Sequence, residues 1–295
     1  MIILHLDGEY CNVVLCIINK SLLQNALPMP INRYLLRPSF NPKSISGLFT
    51  WWDLSDSSVV TLNSGNVSAL ADKSGNGNYS SGESRALIQA SAGDQPLYNA
   101  TLQNGKGGAV FDEDAHLYSG ASSDWTFLHH GTDRYSMFIA GETKSDGNMF
   151  FGDMVMTAAN GYPGITINDF NNFGIDQFSF NLDNGDGNNY LAATLYPFGQ
   201  RNRPSVFHFA GSPVSGSPSF AVTVDTGATA SGSDTFSTNS AQPDYMLTFG
   251  FDGTNSVNTW KGRLYEILIY RRSTALGGAE ATAIVNYLKT KWGIS

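Results

Sequence analysis

The chain has 295 residues, 41% of them hydrophobic and only 14% charged, with 31 glycines. That composition excludes a disordered or coiled-coil protein and suits a turn-rich β fold with a sizeable core. A formal charge of −8 and a pI near 5.0 argue against nucleic acid and anionic membranes as partners, because both need a surplus of Lys and Arg.

Residues 1–46 stand apart. They hold both cysteines, Cys11 and Cys16, and four of the eleven prolines, Pro28, Pro30, Pro38 and Pro42. Each proline fixes φ and pushes its predecessor away from helix, so the segment reads as an extended arm. Two cysteines so close together make no disulfide scaffold and are read as free. Residues 11–18 are apolar but lack a basic leader and a clear cleavage site, so no signal peptide is expected. No run reaches the ~18 apolar residues of a membrane span. Met29 is a second candidate start, which would make residues 1–28 an extension.

From Gly47 onward, short β-rich runs alternate with turn clusters. The spacing predicts strands at 59–62, 67–71, 108–112, 135–141, 148–152, 164–168, 173–180, 205–210, 219–225, 245–251 and 262–270. In Ser219–Asp225, Phe220, Val222 and Val224 share one face, the period of a half-buried strand. Residues 262–270 alternate less strictly and read as buried on both faces. One helix is predicted near the C-terminus, where Ile284, Val285, Leu288 and Trp292 form one stripe. Glu280 stands three residues after Gly277, the capping-box offset, and Gly293 supplies a stop.

Five stretches carry a resemblance. They are Gly47-Leu-Phe-Thr-Trp-Trp-Asp-Leu-Ser-Asp, Ala71-Asp-Lys-Ser-Gly-Asn-Gly-Asn, Gly107-Gly-Ala-Val-Phe-Asp, Gly262-Arg-Leu-Tyr-Glu-Ile-Leu-Ile-Tyr-Arg-Arg and Tyr287-Leu-Lys-Thr-Lys-Trp-Gly-Ile. Together they resemble the laminin-G-like, concanavalin-A-like lectin jelly roll over residues 47–295. The resemblance implies an all-β, two-sheet antiparallel jelly-roll sandwich with one C-terminal helix, preceded here by the extended arm of residues 1–46. The doubled Trp51-Trp52 and the Gly at 277, where relatives carry Ser or Thr, depart from its pattern. An exposed Trp51 or Trp52 would contact a partner or be covered by the arm.

This architecture hosts binders, hydrolases and structural modules alike, so function has to come from residues. Retaining hydrolysis needs two carboxyls ~5–5.5 Å apart, and no paired-glutamate strand pattern occurs. Asp112-Glu113-Asp114 reads as a solvated turn. No G-x-S-x-G elbow and no zinc spacing is present, so no enzyme is expected. Asp183, Asp186 and Asn188 lie in an Asn/Asp/Gly loop with the hard oxygens that Ca²⁺ takes, and the same run reads equally as a hairpin turn. No other cofactor is expected. Trp125, among Ser, Asp and His residues, reads as a loop aromatic for stacking a sugar; His129 and Tyr190 are further glycan-binding candidates.

Domains of this kind occur in bacteriophage virions, in capsid decorations and in tail or fibre proteins. The resemblance therefore implies a non-enzymatic virion structural protein that projects a lectin-like domain, stabilising the particle or adhering to host glycans. Its partners would be other virion proteins through the arm and host-surface glycans, with a homo-oligomeric state and a virion location. The alternative is a secreted or cell-surface bacterial carbohydrate-binding module, and a glycan-active hydrolase ranks below it.

Overall fold

A computed structural model describes residues 40–295 except 113, 145–152, 159–162, 173–174, 185–189, 196–201, 236 and 251–259. Within 153–156, 168–172, 175–180, 183–184 and 190–195 the backbone alone is described. The strands pair antiparallel and form two layers. In the back layer, β1 (Leu48–Asp53) and β6 (Lys106–Phe111) lie end to end along one edge of β17 (Gly262–Arg272). On its other edge follow β8 (Arg134–Thr143), β13 (Ser205–Ser212), β14 (Ser219–Val224) and β15 (Thr229–Ser233). The front layer runs β2 (Val60–Asn63), β3 (Asn66–Leu70), β4 (Leu87–Ile88), β7 (Leu117–Ser119), β16 (Leu247–Phe249), β9 (Asp153–Met156), β10 (Pro163–Asn172), β11 (Ile175–Asn184) and β12 (Tyr190–Leu195). Between the layers runs β5 (Leu97–Gln103), which pairs with β6 and touches β3 at Asn66.

Two apolar cores hold these layers. The larger fills the sandwich, with Met137, Ile139, Phe207, Phe209 and Ile267 facing Leu117, Ile165, Ile167, Leu247 and Phe249. Phe220, Val222 and Val224 all point into it, as their alternation predicts. The second core lies on the outer side of the back layer, under α1 (Gly278–Trp292). There Ile284, Val285, Leu288 and Trp292 meet Phe138, Val206, Leu268 and Tyr270.

Because both faces of the back layer are covered, the doubled tryptophan needs no exposed face. Trp52 enters the sandwich core and Trp51 the helix core, and neither is presented to a partner, which corrects that expectation. Residues 40–46, read from the sequence as arm, pack on the sandwich. Ile45 joins the helix core, Phe40 contacts Tyr287 at 5.5 Å between ring centres, and Tyr270 Oη donates to the Pro42 carbonyl at 3.0 Å.

The irregular pattern of β17 has a physical cause. Its pairing with β8 skips a residue between Leu264 and Glu266, a β-bulge. Leu264, Ile267 and Ile269 point into the sandwich, whereas Tyr265 and Glu266 both turn toward α1. The bulge thus drives a carboxylate under the helix, where it is wholly buried. Glu266 Oε1 accepts from Trp51 Nε1 at 2.7 Å and Tyr287 Oη at 2.9 Å. Its Oε2 accepts from Trp292 Nε1 at 2.8 Å and pairs with Lys291 Nζ at 2.7 Å. Lys291 also pairs with Asp53 at 2.7 Å, Asp53 pairs with Lys73 at 2.8 Å, and Lys73 pairs with Asp56 at 2.8 Å.

Burial pushes the Glu266 carboxyl above its ordinary value and the Asp53 charge adds to this, while Lys291 and Trp292 hold it back. For Asp53 burial also works upward, but Lys291 and Lys73 win and hold it below the usual range. The helix itself ends as its sequence dictates. Gly293 adopts φ 64° and Ile294 N donates to the Lys289 carbonyl at 2.9 Å. At the start Glu280 Oε2 accepts from Gly277 N at 2.9 Å, but Gly277 offers no side-chain cap.

Two outcomes test this account. Lys291→Met leaves the buried Glu266 carboxylate without a cation, so urea unfolding at pH 7.5 should show a loss of about 3–5 kcal/mol. Without the cation the Glu266 carboxyl, already raised by burial, titrates higher still, so stability falls as pH rises, and the variant should recover part of its loss at pH 5. A loss that does not change with pH would contradict the ion network. Gly277→Ser should restore the missing cap and stabilise by a few tenths of a kcal/mol, read as a small rise in denaturant midpoint.

Candidate functional site

Among the described residues, two openings flank the turn from β17 into α1. One is a groove of about 500 Å³ on the outer face of the back layer, beside the helix start. Strand register explains it. Ser136, Ala210, Ala221 and Ser231 lie opposite one another across β8, β13, β14 and β15, and Ser212, Ser219 and Ser233 form a parallel row. Several of their inward neighbours are large, among them Met137, Phe209, Phe220 and Val222, whereas every outward side chain in the two rows is small. The missing bulk is the groove, and its floor carries serine hydroxyls.

Arg134, His208 and Leu276 wall the groove. The His208 ring stacks on Phe138, 4.1 Å between centres at 6°. Burial pulls its pKa down to about 4, and its Nε2 has no hydrogen-bond partner among the described residues. His208 is therefore neutral near pH 7.

The second opening is a shallow cleft of about 570 Å³ bordered by Phe49, Asn76, Arg85, Asp133, Arg271 and Ser273. Arg85 is held flat over both Phe49 and Tyr79, 4.4 Å from each ring centre. Its Nε donates to the Gly77 carbonyl at 2.6 Å and its Nη1 to the Phe49 carbonyl at 2.8 Å. Arg271 lies 4.5 Å over Phe127 and pairs with Asp133 at 2.7 Å. Ser273 belongs to the cleft and Leu276 to the groove, and Arg134 Nη1 ties the dividing turn down through the Ser273 carbonyl at 3.1 Å.

The residues singled out in the sequence are elsewhere. Trp125 is fully buried on a 3-10 helix, Ser122–Leu128, that plugs one end of the sandwich. Its Nε1 donates to the Ser119 carbonyl at 2.6 Å and its ring packs edge-on against Tyr79 and Phe49. It is core and offers no sugar platform, which corrects the expectation from its polar sequence neighbours. His129 is likewise buried, with Nε2 at 3.0 Å from the Ala241 carbonyl and a pKa lowered by burial to about 4. It cannot reach a ligand.

Asp183 and Tyr190 pair on the backbones of β11 and β12, and their side chains lie outside the described residues. Asp186 and Asn188 lie wholly outside them. Among the described residues no group of three or more His, Cys, Asp or Glu could hold a metal ion. Acid–base hydrolysis of a glycoside takes two carboxyls at one bond. The groove lining contains none and the cleft lining only Asp133.

Neither opening announces itself by a motif. The signal that could have found the groove is the outward half of the β14 and β15 pattern, Ser219, Ala221, Ser231 and Ser233, uniformly small where long polar side chains usually stand. The signal for the cleft is the Arg271-Arg272 pair closing the longest predicted strand.

No family model and no curated protein matches this chain. Among solved structures, the botulinum neurotoxin serotype D binding domain superposes with a TM-score of 0.53 at 8% identity, over 81% of this chain and 50% of its own. The binding domain of Paraclostridial Mosquitocidal Protein 1 does so at 0.52 and 14% identity, over 83% and 53%. The chain has the lectin-like β-sandwich fold. It spans about half the length of the structures it matches. An arabinofuranosidase complexed with arabinofuranosyl-alpha-1,2-xylobiose aligns at 0.49 and 13% identity, over 77% and 51%, too distant to bear on activity.

The buried histidines set an acid limit. A histidine whose folded pKa lies near 4 stays neutral while the unfolded chain protonates near 6.5. Stability should therefore fall as pH drops from about 6.5 toward 4, by up to about 1.4 kcal/mol per pH unit for each of His129 and His208. Denaturant midpoints across that range check this, and His208→Phe should flatten the slope.

Proposed function

We propose that this chain is a non-enzymatic glycan-binding module and that the groove beside α1 is its sugar site. The observation that carries the proposal is the double row of small residues across four registered strands. A rigid sheet face stripped of bulk makes a trough of monosaccharide-to-disaccharide volume. Its serine hydroxyls can donate or accept toward sugar hydroxyls, Arg134 donates at one wall, and Leu276 offers an apolar contact for ring C–H groups. The matched solved structures are named as binding domains, which supports a binding role without specifying a ligand.

A glycan-array screen of the full chain, run with calcium and with chelator, tests the proposal. Ala221→Phe fills the trough from its floor and should abolish binding while leaving the thermal midpoint nearly unchanged, since the residue points outward. Undiminished binding by this variant would exclude the groove. Loss of binding on chelation would bring the Asp183–Asn188 loop into the site.

A second reading places the module on a virion, anchored by the arm to other virion proteins in a homo-oligomer, with host glycans as the outward partner. It is supported by the resemblance of residues 47–295 to phage modules and by the proline-rich arm. Deleting residues 1–39, ahead of the described domain, should abolish incorporation into particles, and normal incorporation would remove this reading.

A further inference from the structure

We infer that the arginine cleft is a second binding site, which takes the carboxylate of an acidic sugar. The inference rests on the lectin-like reading but concerns a different surface, across the Ser273–Leu276 turn from the groove. Its first support is charge. The chain carries −8 overall, yet Arg85, Arg271 and Arg272 converge on one cleft that holds a single carboxylate, Asp133. Arg271 is neutralised by Asp133 and Arg272 by Glu280 at 2.8 Å. Among the described residues Arg85 has no carboxylate at ion-pair distance; its two recorded acceptors are backbone carbonyls.

The second support is preorganisation. Two aromatic rings and two carbonyls fix the Arg85 guanidinium plane, so little side-chain freedom remains to be lost when an anion docks. A fixed fork suits the planar, two-oxygen geometry of a carboxylate. The third is the mixture at the walls. Asp133 accepts, Asn76 donates and accepts, and the Ser273 hydroxyl does both, a lining for a polyhydroxylated acid. Asp133 would repel a densely charged phosphate group, so the monoanionic acid is favoured. A uronic-acid unit and a sialic-acid unit share this chemistry.

Titration calorimetry on the full chain separates the cases, using an oligogalacturonate and a sialylated trisaccharide, each beside its carboxyl-reduced form. The acid form of one or both should bind, more weakly in 500 mM than in 50 mM NaCl, and the reduced forms should not. Arg85→Gln should weaken binding about tenfold or more, the scale of a charge-assisted contact. Because that variant also loses two hydrogen bonds to backbone carbonyls, Ser273→Glu serves as the second test: it adds a repelling charge at an exposed rim. Ala221→Phe in the groove should bind the acid as the parent does. Equal binding of reduced forms, or undiminished binding by Ser273→Glu, overturns the inference. So does failure of the parent to bind either acid. Acid binding lost in Ala221→Phe but kept in Ser273→Glu would place the acid in the groove, overturning the second site and leaving the module reading intact. Neutral-glycan binding without acid binding would do the same.

Discussion

A single buried carboxylate, Glu266, ties this sandwich together. Four donors from two distant parts of the chain converge on it: Trp51 from β1, and Tyr287, Lys291 and Trp292 from α1. A charge removed from water is tolerated only when paired and hydrogen-bonded, so the helix can seat in one register alone. Lys291 extends the constraint to Asp53, and Asp53 to Lys73, whose ammonium also lies 4.7 Å from the Trp51 ring centre. An apolar helix stripe over an apolar sheet could slide by a turn; this one cannot without stranding the buried Glu266.

That fixed helix shapes the surface beside it. Its covering of the back layer stops before the outer ends of β13, β14 and β15, where small residues leave the groove open. The turn leading into it, pinned by Arg134, becomes the ridge between groove and cleft. The same end of β17 presents Arg271 and Arg272 to the cleft. Both openings thus depend on where β17 hands over to α1, which the Glu266 network sets.

Much of this was legible in the sequence. Period-two burial in Ser219–Val224 and the stripe of Ile284, Val285, Leu288 and Trp292 were visible because local geometry alone imposes them. The short strands β4, β7 and β15 were not, since two to five residues carry too little periodicity to stand out. Trp125 misled because its neighbours in sequence, Ser122, Ser123 and Asp124, suggest solvent. Asp124 is in fact buried, and Ser80, Ser81 and the Ala121 amide supply its hydrogen bonds. The bulge at Tyr265–Glu266 blurred the alternation of β17 and hid which face the glutamate takes. The groove left only the small outward residues of β14 and β15 as its trace, because it consists of side-chain volume that is absent.

The bulge has a consequence for how the domain is assembled during synthesis. Glu266 is made before its partners at 287–292, so a growing chain emerging from the ribosome first exposes the outer side of β17 with its carboxylate in water. The sandwich core can gather in that interval, since its strands have already been made. The outer face of the back layer, and with it Trp51, stays uncovered until the last turn of α1 arrives. Closure therefore joins Lys291 to Asp53, more than 200 residues away in the chain, a pairing of high sequence separation that forms slowly. A chain cut after Arg272 would present the sandwich with one large apolar face bare, the state most exposed to aggregation or to capture by a chaperone.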